Sequence, residues 1–349
     1  MARFKSVDIG FASSHRVEDM VRWSQLAEAE GFDAVWLAEL YYARGLITTC
    51  AAVAAATSKI KIGFGIISPF SRHPGVIAME TATLDELSGG RMILGMGISQ
   101  IAVDRQGVEN ARAAVSLREA MEILRSFFAG EQVVYDGEFF KMTAPGSPLF
   151  FEPVRRDVPI HLGVMGPKSL ELAGRAADGV LLGMFSTPGF AKWARGHIEQ
   201  GLKSAGRRWE DFEYRSYITF SVDKNAAKAK DAARGILAAY LSEGVSTSAT
   251  NAESPRWKYS GATADELLAV KAEVGKYWSQ GDREKAGQAI PVDFIDKLIV
   301  AGEPDECAER LLAYAEAGVD IAVPYQVMGP DPDASIRLAA REILPKITA

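Results

Sequence analysis

One pattern recurs three times along this chain of 349 residues: the end of an amphipathic helix, a short turn, and an apolar run. The three copies occupy residues 27–37, 173–182 and 314–323. Each turn carries a glycine or an aspartate, and glycine tolerates the left-handed conformation that commonly ends a helix. An apolar run without alternation is typical of a strand buried on both faces, as in parallel sheets. Three such units, spread over most of the chain, indicate one closed sheet rather than two domains.

Further apolar runs complete eight predicted strands, with helical patterns between them. The additional predicted strands are residues 7–11, 60–66, 92–96, 160–163 and 217–222. The predicted helices are residues 17–30, 46–57, 75–87, 117–128, 167–176 and 188–205. This order predicts an α/β fold of the (β/α)8 TIM-barrel type, for which about 250 residues is typical. The whole chain, residues 1–349, is therefore expected to form one enlarged barrel domain.

Two segments do not belong to this alternation of strands and helices. Residues 132–142, with Asp136 and Gly137 at their centre, predict a β-hairpin. Residues 246–291 are polar, contain helix-like pieces, and are expected to cross the barrel mouth as an insertion.

The charge pattern limits the partners. The net charge is −6 and no basic run stands out, so neither a nucleic acid nor an anionic membrane is expected to bind. No run approaches the ~20 apolar residues that a membrane helix needs. The two cysteines, Cys50 and Cys307, lie far apart in helical patterns and predict reduced thiols. We therefore expect a cytoplasmic protein whose partner is a small-molecule substrate.

The active site of a TIM barrel lies at the carboxyl ends of its strands. After the second predicted strand comes Glu39, which is either a ligand contact or a rim carboxylate. In the third strand, Gly63 and Gly65 precede Ile66, Ile67 and Ser68. Glycines inside a strand indicate a bulge, required either by barrel packing or by the close approach of a flat ligand.

The turn after the fifth strand predicts an anion contact. Gly166 lets the backbone approach a ligand, and Pro167 suits the first position of a helix. The free N–H groups of Lys168 and Ser169 would then face the barrel mouth at a positive helix end. The alternative is an ordinary helix start with a solvated lysine.

Several familiar sites are absent from the sequence. Gly95 and Gly97 are not followed by the third glycine of a dinucleotide fingerprint, and no Walker loop occurs. No histidine pairs with another histidine or a cysteine at metal-ligand spacing, so no metal is predicted. His161 lies inside a predicted strand and is interpreted as a core residue more readily than as a catalytic base.

These residues also carry a family resemblance, which extends in the right order over essentially the whole chain. The motifs are IGFGIISP at residues 62–69, RHP at 72–74, ATLDELSGGR at 82–91, LGMG at 94–97, GVMGP at 163–167, AADG at 176–179 and GEPDE at 302–306. The chain resembles the luciferase-like flavin and deazaflavin oxidoreductases. Within them it is most similar to the reductases that use coenzyme F420, the methylenetetrahydromethanopterin reductases in particular.

The resemblance implies a metal-free barrel that transfers hydride. It implies a non-proline cis peptide between Gly65 and Ile66 behind the deazaflavin ring, with Glu39 and Ser68 near that ring. It also implies a site for the phosphate tail of the cofactor, formed by Met165, Gly166, Pro167, Lys168 and Ser169. Relatives associate through barrel helices, and two-fold dimers are the commonest soluble assemblies. We therefore expect a homodimer, with the small-residue helix at 46–56 as its face.

Three departures from the relatives concern proton chemistry. Leu40 stands where many deazaflavin relatives have a histidine, and Gln100 stands where they often have an acidic residue. Gly10 replaces an acidic residue of the pterin reductase. The catalytic candidates that remain are Glu39 and Gln100, and the substrate stays open.

Coenzyme F420 is the expected cofactor, and FMN is the alternative. A deazaflavin carries carbon where a flavin has N5, so it moves hydride and reacts poorly with oxygen. An F420-dependent oxidoreductase is therefore the leading prediction, and an FMN-dependent luciferase-like monooxygenase is the second. The third is a non-catalytic cofactor-binding protein of the same fold.

Overall fold

Short apolar stretches form one closed sheet, as the repeated pattern predicts. The computed structural model describes residues 2–99, 106–108, 112–242 and 251–349. In chain order the strands are β1 Ser6–Val7, β2 Ile9–Ala12, β3 Ala34–Ala38, β4 Lys61–Phe64, β5 Met92–Met96, β6 Val133–Asp136, β7 Lys141–Ser147, β8 Ile160–Leu162, β9 Gly179–Leu182, β10 Glu213–Val222, β11 Val300–Gly302 and β12 Ile321–Met328.

The sheet is parallel and closes on itself. Strand β3 lies between β2 and β4, and the order continues through β5, β8, β9 and β10. Strand β12 pairs with β10 on one side and with β1 and β2 on the other, where Tyr325 lies opposite Gly10. With β1 and β2 counted as one interrupted strand, this is an eight-stranded (β/α)8 barrel. Because all strands run the same way, their carboxyl ends meet at one mouth.

Helices cover the outside of the barrel and connect consecutive strands. They are α1 Val17–Ala29, α2 Leu46–Ala56, α3 Pro74–Ser88, α4 Ala113–Phe128, α5 Pro167–Ala176, α6 Pro188–Ser204, α7 Ala226–Ser242, α8 Pro255–Lys258, α9 Ala264–Trp278, α10 Arg283–Gln288, α11 Val292–Leu298, α12 Pro304–Glu316, α13 Pro332–Leu338 and α14 Leu344–Ile347. Proline stands in the first turn of several, where its missing N–H costs no hydrogen bond.

All eight predicted strands are present, although their ends differ. Strand β10 begins at Glu213, four residues before the predicted start, and β12 continues to Met328. The predicted hairpin is the antiparallel pair β6 and β7, but its second strand runs to Ser147. Its turn is longer than the Asp136–Gly137 pair suggests. The buried carboxylate of Glu119 holds it by accepting from the backbone N–H groups of residues 138–140.

The described part of the predicted insertion, residues 251–291, forms helices α8 to α10. Together with α7 and α11 they bury a second hydrophobic cluster that includes Leu237, Trp257, Val274 and Phe294. This cluster packs beside β11, a three-residue strand that the sequence pattern does not reveal. The insertion is therefore held in place by its own apolar contacts.

A search of the described residues finds no helix with both the length and the apolar character that a membrane crossing requires.

Candidate cofactor site

The sheet is interrupted after β4, at the predicted glycine bulge. The peptide bond between Gly65 and Ile66 is cis, so this prediction is confirmed. Backbone hydrogen bonds fix the bulge on both sides. The Gly65 N–H donates to the Leu37 carbonyl at 2.8 Å, and the Ile67 N–H donates to the Gly95 carbonyl at 2.9 Å. The bulge is thus tied to β3 and β5 at the barrel mouth.

Only glycine fits at the bulge. A Cβ on Gly65 would lie 1.8 Å from the Oη of Tyr217, which donates a hydrogen bond to the Gly65 carbonyl at 3.0 Å. Tyr217 in turn stacks on Tyr325, with 4.1 Å between ring centroids. On the other side, a Cβ on Gly163 would lie 2.5 Å from Cγ2 of Ile66. The glycines therefore serve close packing of the bulge against β8 and β10.

A cavity of about 490 Å³ opens beside this bulge at the barrel mouth. Its volume falls in the usual range for small-molecule sites. Its lining comes from the loops after β5, β8 and β9 and from the insertion, and comprises Ile98, Ser99, Ala113, Gly163, Val164, Met165, Gly166, Ser169, Phe190, Ser254, Pro255 and Arg256. Because Gly163 touches Ile66, the cavity and the bulge are neighbours.

One wall of the cavity is the start of helix α5. Gly166 precedes this helix in an extended conformation, and the space where its Cβ would stand is open. Ser169 is buried and lines the cavity, and the partly buried Met165 lines it too. Pro167 and Lys168 are exposed and do not belong to the lining. The structure therefore brings Met165, Gly166 and Ser169 together and leaves the Lys168 side chain at the rim. A helix start with free N–H groups favours an anion.

The opposite wall carries an arginine from the insertion. The Arg256 guanidinium contacts the Tyr240 hydroxyl and the Met165 sulfur. Among the residues that the structure describes, no carboxylate pairs with it. Within the described part of the chain, the Ser254 hydroxyl beside it is buried without a hydrogen-bond partner. A buried hydroxyl and a guanidinium that line the same cavity as a helix start are suited to a phosphate.

Sequence reasoning did not single out Ser254 or Arg256. They belong to no motif, and their neighbourhood depends on how the insertion folds back over the mouth. The sequence predicted only that the insertion crosses the mouth, and that prediction did not identify individual residues.

Glu39 lies where β3 ends, beside the bulge. Its Oε1 accepts from Nη1 of Arg72 at 2.7 Å, while its Oε2 is buried and has no hydrogen-bond partner among the described residues. Glu80 of helix α3 approaches the same arginine, with 3.6 Å between Glu80 Oε2 and Arg72 Nε. Burial raises the pKa of Glu80, and burial also raises the pKa of the nearby Tyr41 phenol. This is an acidic cluster in a poorly solvated place.

Of two other predicted site residues, Ser68 and Gln100, the structure describes only Ser68. Ser68 is wholly buried, and its hydroxyl donates to the Ile98 carbonyl at 3.2 Å and accepts from the Phe70 N–H at 3.3 Å. Its side chain is therefore occupied by the protein's own backbone. Gln100 lies outside the described residues.

Backbone strain concentrates at the same barrel end. Five residues other than glycine have a positive φ at this end. Tyr42, Ser99 and Phe185 come after β3, β5 and β9, and Gln326 and Met328 lie in the last part of β12. Such conformations cost of order 1–3 kcal/mol each and cluster at functional sites. The amide oxygen of Gln326 is also buried without a partner. Both observations indicate that the mouth, rather than the opposite end, is built for a ligand.

The opposite half of the barrel interior contains His161. Its ring lies with Trp36, Asp8 and Arg215 in a fully buried network, where Arg215 Nε donates to Asp8 at 2.8 Å and Nη1 lies 3.3 Å from His161 Nδ1. Burial, followed by the Arg215 charge, lowers the pKa of His161. The core interpretation of this histidine is therefore supported. Among described residues, no group of three potential metal ligands occurs, and the absence of a metal remains a prediction.

The comparisons with known proteins agree with this architecture. The chain matches the family model of the luciferase-like monooxygenases over residues 5–321. It is similar to the 5,10-methylenetetrahydromethanopterin reductase of Archaeoglobus fulgidus, at 33% identity over 97% of this chain and 98% of the relative. It is also similar to the enzyme of that name from Methanolobus tindarius, at 34% identity over 96% of this chain and 98% of the relative.

A solved structure extends the likeness to three dimensions. The coenzyme F420-dependent tetrahydromethanopterin reductase of Methanopyrus kandleri superposes with a TM-score of 0.88, at 28% identity, over 99% of this chain and 100% of that chain. The family match, the full-length similarity and the shared barrel lead to one conclusion. This chain belongs to the luciferase-like monooxygenase family.

Proposed function

We propose that this protein is an oxidoreductase that transfers hydride between coenzyme F420 and a small organic substrate. The observation that carries the proposal is the cavity at the start of helix α5, which neighbours the Gly65–Ile66 bulge. The chain is also similar over its whole length to reductases, one of them F420-dependent by name.

The residues present fit a flat ring with an anionic tail. Gly65, Ile66 and the backbone at Ser68 would support the ring, with Glu39 at its edge. Met165, Gly166, Pro167, Lys168 and Ser169 would hold the phosphate, together with Arg256 and Ser254. The open space at Gly166 and the orphan polar atoms of Ser254, Glu39 and Gln326 are the features that a bound group would satisfy. When bound, the deazaflavin supplies a carbon centre that carries hydride.

Proton transfer is the part that this chain arranges differently from its relatives. A Cβ on Gly10 would lie 2.6 Å from a ring carbon of Tyr325, so the stacked tyrosines leave no room for an acidic side chain there. Leu40 cannot carry a proton. We infer that the proton comes from the substrate side or from solvent, and that Glu39 serves the cofactor.

We further propose a homodimer formed through helices α2 and α3. Leu46, Cys50 and Val53 of α2 are buried. This burial is also expected if the helix only packs against the barrel and forms no subunit interface. On the neighbouring helix α3, however, Val76, Met79 and Leu87 are exposed. A row of apolar side chains beside the small residues of α2 is typical of a subunit interface. The cytoplasmic location remains a prediction, with which the two buried free cysteines agree.

Replacing Arg256 tests the cofactor site. Loss of a charged hydrogen bond costs about 1.5–3 kcal/mol, so R256M is expected to raise the Kd for F420 by ~10–150-fold. Lys258, exposed on the same short helix, provides the matched control K258M, which removes the same charge outside the cavity. Fluorescence titration with F420, and separately with FMN, measures both variants.

Tight binding of F420 by the wild type, weakened only by R256M, supports the proposal. Binding of FMN but not F420 would replace it with a flavin-dependent activity. Equal effects of R256M and K258M would place the phosphate elsewhere.

A further inference from the structure

Two carboxylates share one guanidinium beside the bulge. Arg72 lies in the loop between β4 and α3, with Glu39 of the β3 loop on one side and Glu80 of α3 on the other. The Arg72–Glu39 contact is a hydrogen-bonded ion pair of 2.7 Å, whereas Glu80 stands 3.6 Å away, beyond hydrogen-bond reach. Arg72 therefore neutralises Glu39 and leaves the Glu80 charge without an equal partner.

Little solvent reaches this cluster. The side chains of Glu39 and Glu80 are 8% and 23% exposed. In the part of the chain that the structure describes, Oε2 of each carboxylate is buried without a hydrogen-bond partner. Two negative charges against one positive charge are costly in such a place, and binding one proton removes the excess.

The other titratable groups that face the cluster cannot balance it. They are the Tyr41 phenol, from the loop after β3, and the Cys50 thiol, from α2. Burial raises the pKa of both, so both are neutral at pH 7. The pKa of Glu80 is also raised, by burial first and then by the Glu39 charge, against the opposing effect of Arg72. No second cation approaches the two carboxylates within the described ranges.

We propose that Glu80 is a positioning residue for Glu39, acting through the Arg72 that both approach, and that this pair of carboxylates binds one proton. The link to function rests on the proposed cofactor site, because Glu39 faces the ring there. A proton on the pair leaves the cluster neutral, and its loss adds one negative charge beside a cofactor that is itself anionic. Cofactor affinity therefore falls as the pair ionises.

The proton can be observed without any cofactor. Infrared difference spectra of the wild type and E80Q, recorded over a series of pH values, are expected to show a carboxylic-acid band in the wild type that persists above the pH at which exposed carboxylates have ionised. That carbonyl band disappears as the pH rises and the pair ionises. E86Q, a change of the same kind at an exposed position of α3, serves as the control and keeps the band. A circular dichroism spectrum checks that each variant is folded.

The consequence is measured as the Kd for F420 against pH. A shift of about one pKa unit in the pair on binding corresponds to roughly a tenfold rise in Kd across the titration. The wild type, E86Q and E80D are expected to show that rise, and E80Q is expected to lose it.

An unchanged carboxylic-acid band in E80Q, or the same pH dependence of Kd in E80Q and the wild type, would overturn the inference. Failure to bind F420 at any pH would instead overturn the proposed function, and the infrared result would still decide whether the pair of carboxylates binds a proton.

Discussion

At the residue scale, two glycines of this chain have different structural roles. Gly65 is required by packing, because a Cβ would collide with the Tyr217 hydroxyl. Gly166 is under no such restraint: its backbone is extended, and no atom lies within 4 Å of the place where its Cβ would stand. A side chain at position 166 is therefore compatible with the fold, and its effect should fall on whatever occupies the cavity.

This difference gives a prediction for G166V. We expect an unchanged melting temperature, because the new side chain enters open space. The Kd for F420 should rise by ~5–30-fold, which corresponds to about 1–2 kcal/mol for a clash or a lost charged hydrogen bond. Calorimetry and fluorescence titration measure the two quantities. G196A, at another glycine with open space around it, is the control. An unchanged Kd for F420 in G166V would show that the phosphate tail of the cofactor does not bind at this helix start.

Glu39 gives a second prediction at this scale. If it serves the cofactor, E39Q should change the Kd for F420 more than the rate of hydride transfer at saturating cofactor. Stopped-flow measurement of the rate, alongside titration, separates the two. The opposite pattern, a rate loss near ~100-fold with binding intact, is the scale of a lost general acid and would make Glu39 the catalytic group.

At the element scale, the barrel could be predicted because its strands are short, apolar and preceded by turns that carry glycine or aspartate. Burial on both faces gives a parallel strand an uninterrupted apolar pattern that survives in the sequence. The ends were harder to predict, since β10 starts at Glu213 and β12 continues past Pro324 through tertiary pairing alone. The helices of the insertion have ordinary polar surfaces, so the sequence did not reveal which of their residues reach the mouth.

The motif at residues 82–91, one of those that carry the family resemblance, lies outside the lining of the cavity. Arg91 donates to the carbonyls of Ala54, Thr57 and Ile60, where helix α2 ends. Asp85 accepts from the Met92 N–H and from Arg155. These bonds join α2, α3 and the start of β5, at the end of the barrel opposite the mouth. The motif therefore serves the assembly of the barrel rather than the cavity.

At the scale of the whole molecule, the exposed apolar row on α3 leads to a prediction about assembly. Light scattering should give twice the 37.7 kDa chain mass. M79E should shift the protein to monomers, because a charge in an apolar interface is left without a partner. L268E, at an exposed leucine of α9 in the insertion, is the control and should remain dimeric. A wild type of 37.7 kDa at micromolar concentration would contradict the dimer.

In the proposed binding mode, the ring lies at the Gly65–Ile66 bulge and the phosphate at the start of helix α5. A crystal structure of the protein with F420 tests this binding mode. We expect the ring against Gly65 and Ile66 with Glu39 at its edge, and the phosphate within hydrogen-bond distance of the Ser169 N–H and the Arg256 guanidinium. A ring bound away from the bulge, or a phosphate that contacts neither Ser169 nor Arg256, would contradict it.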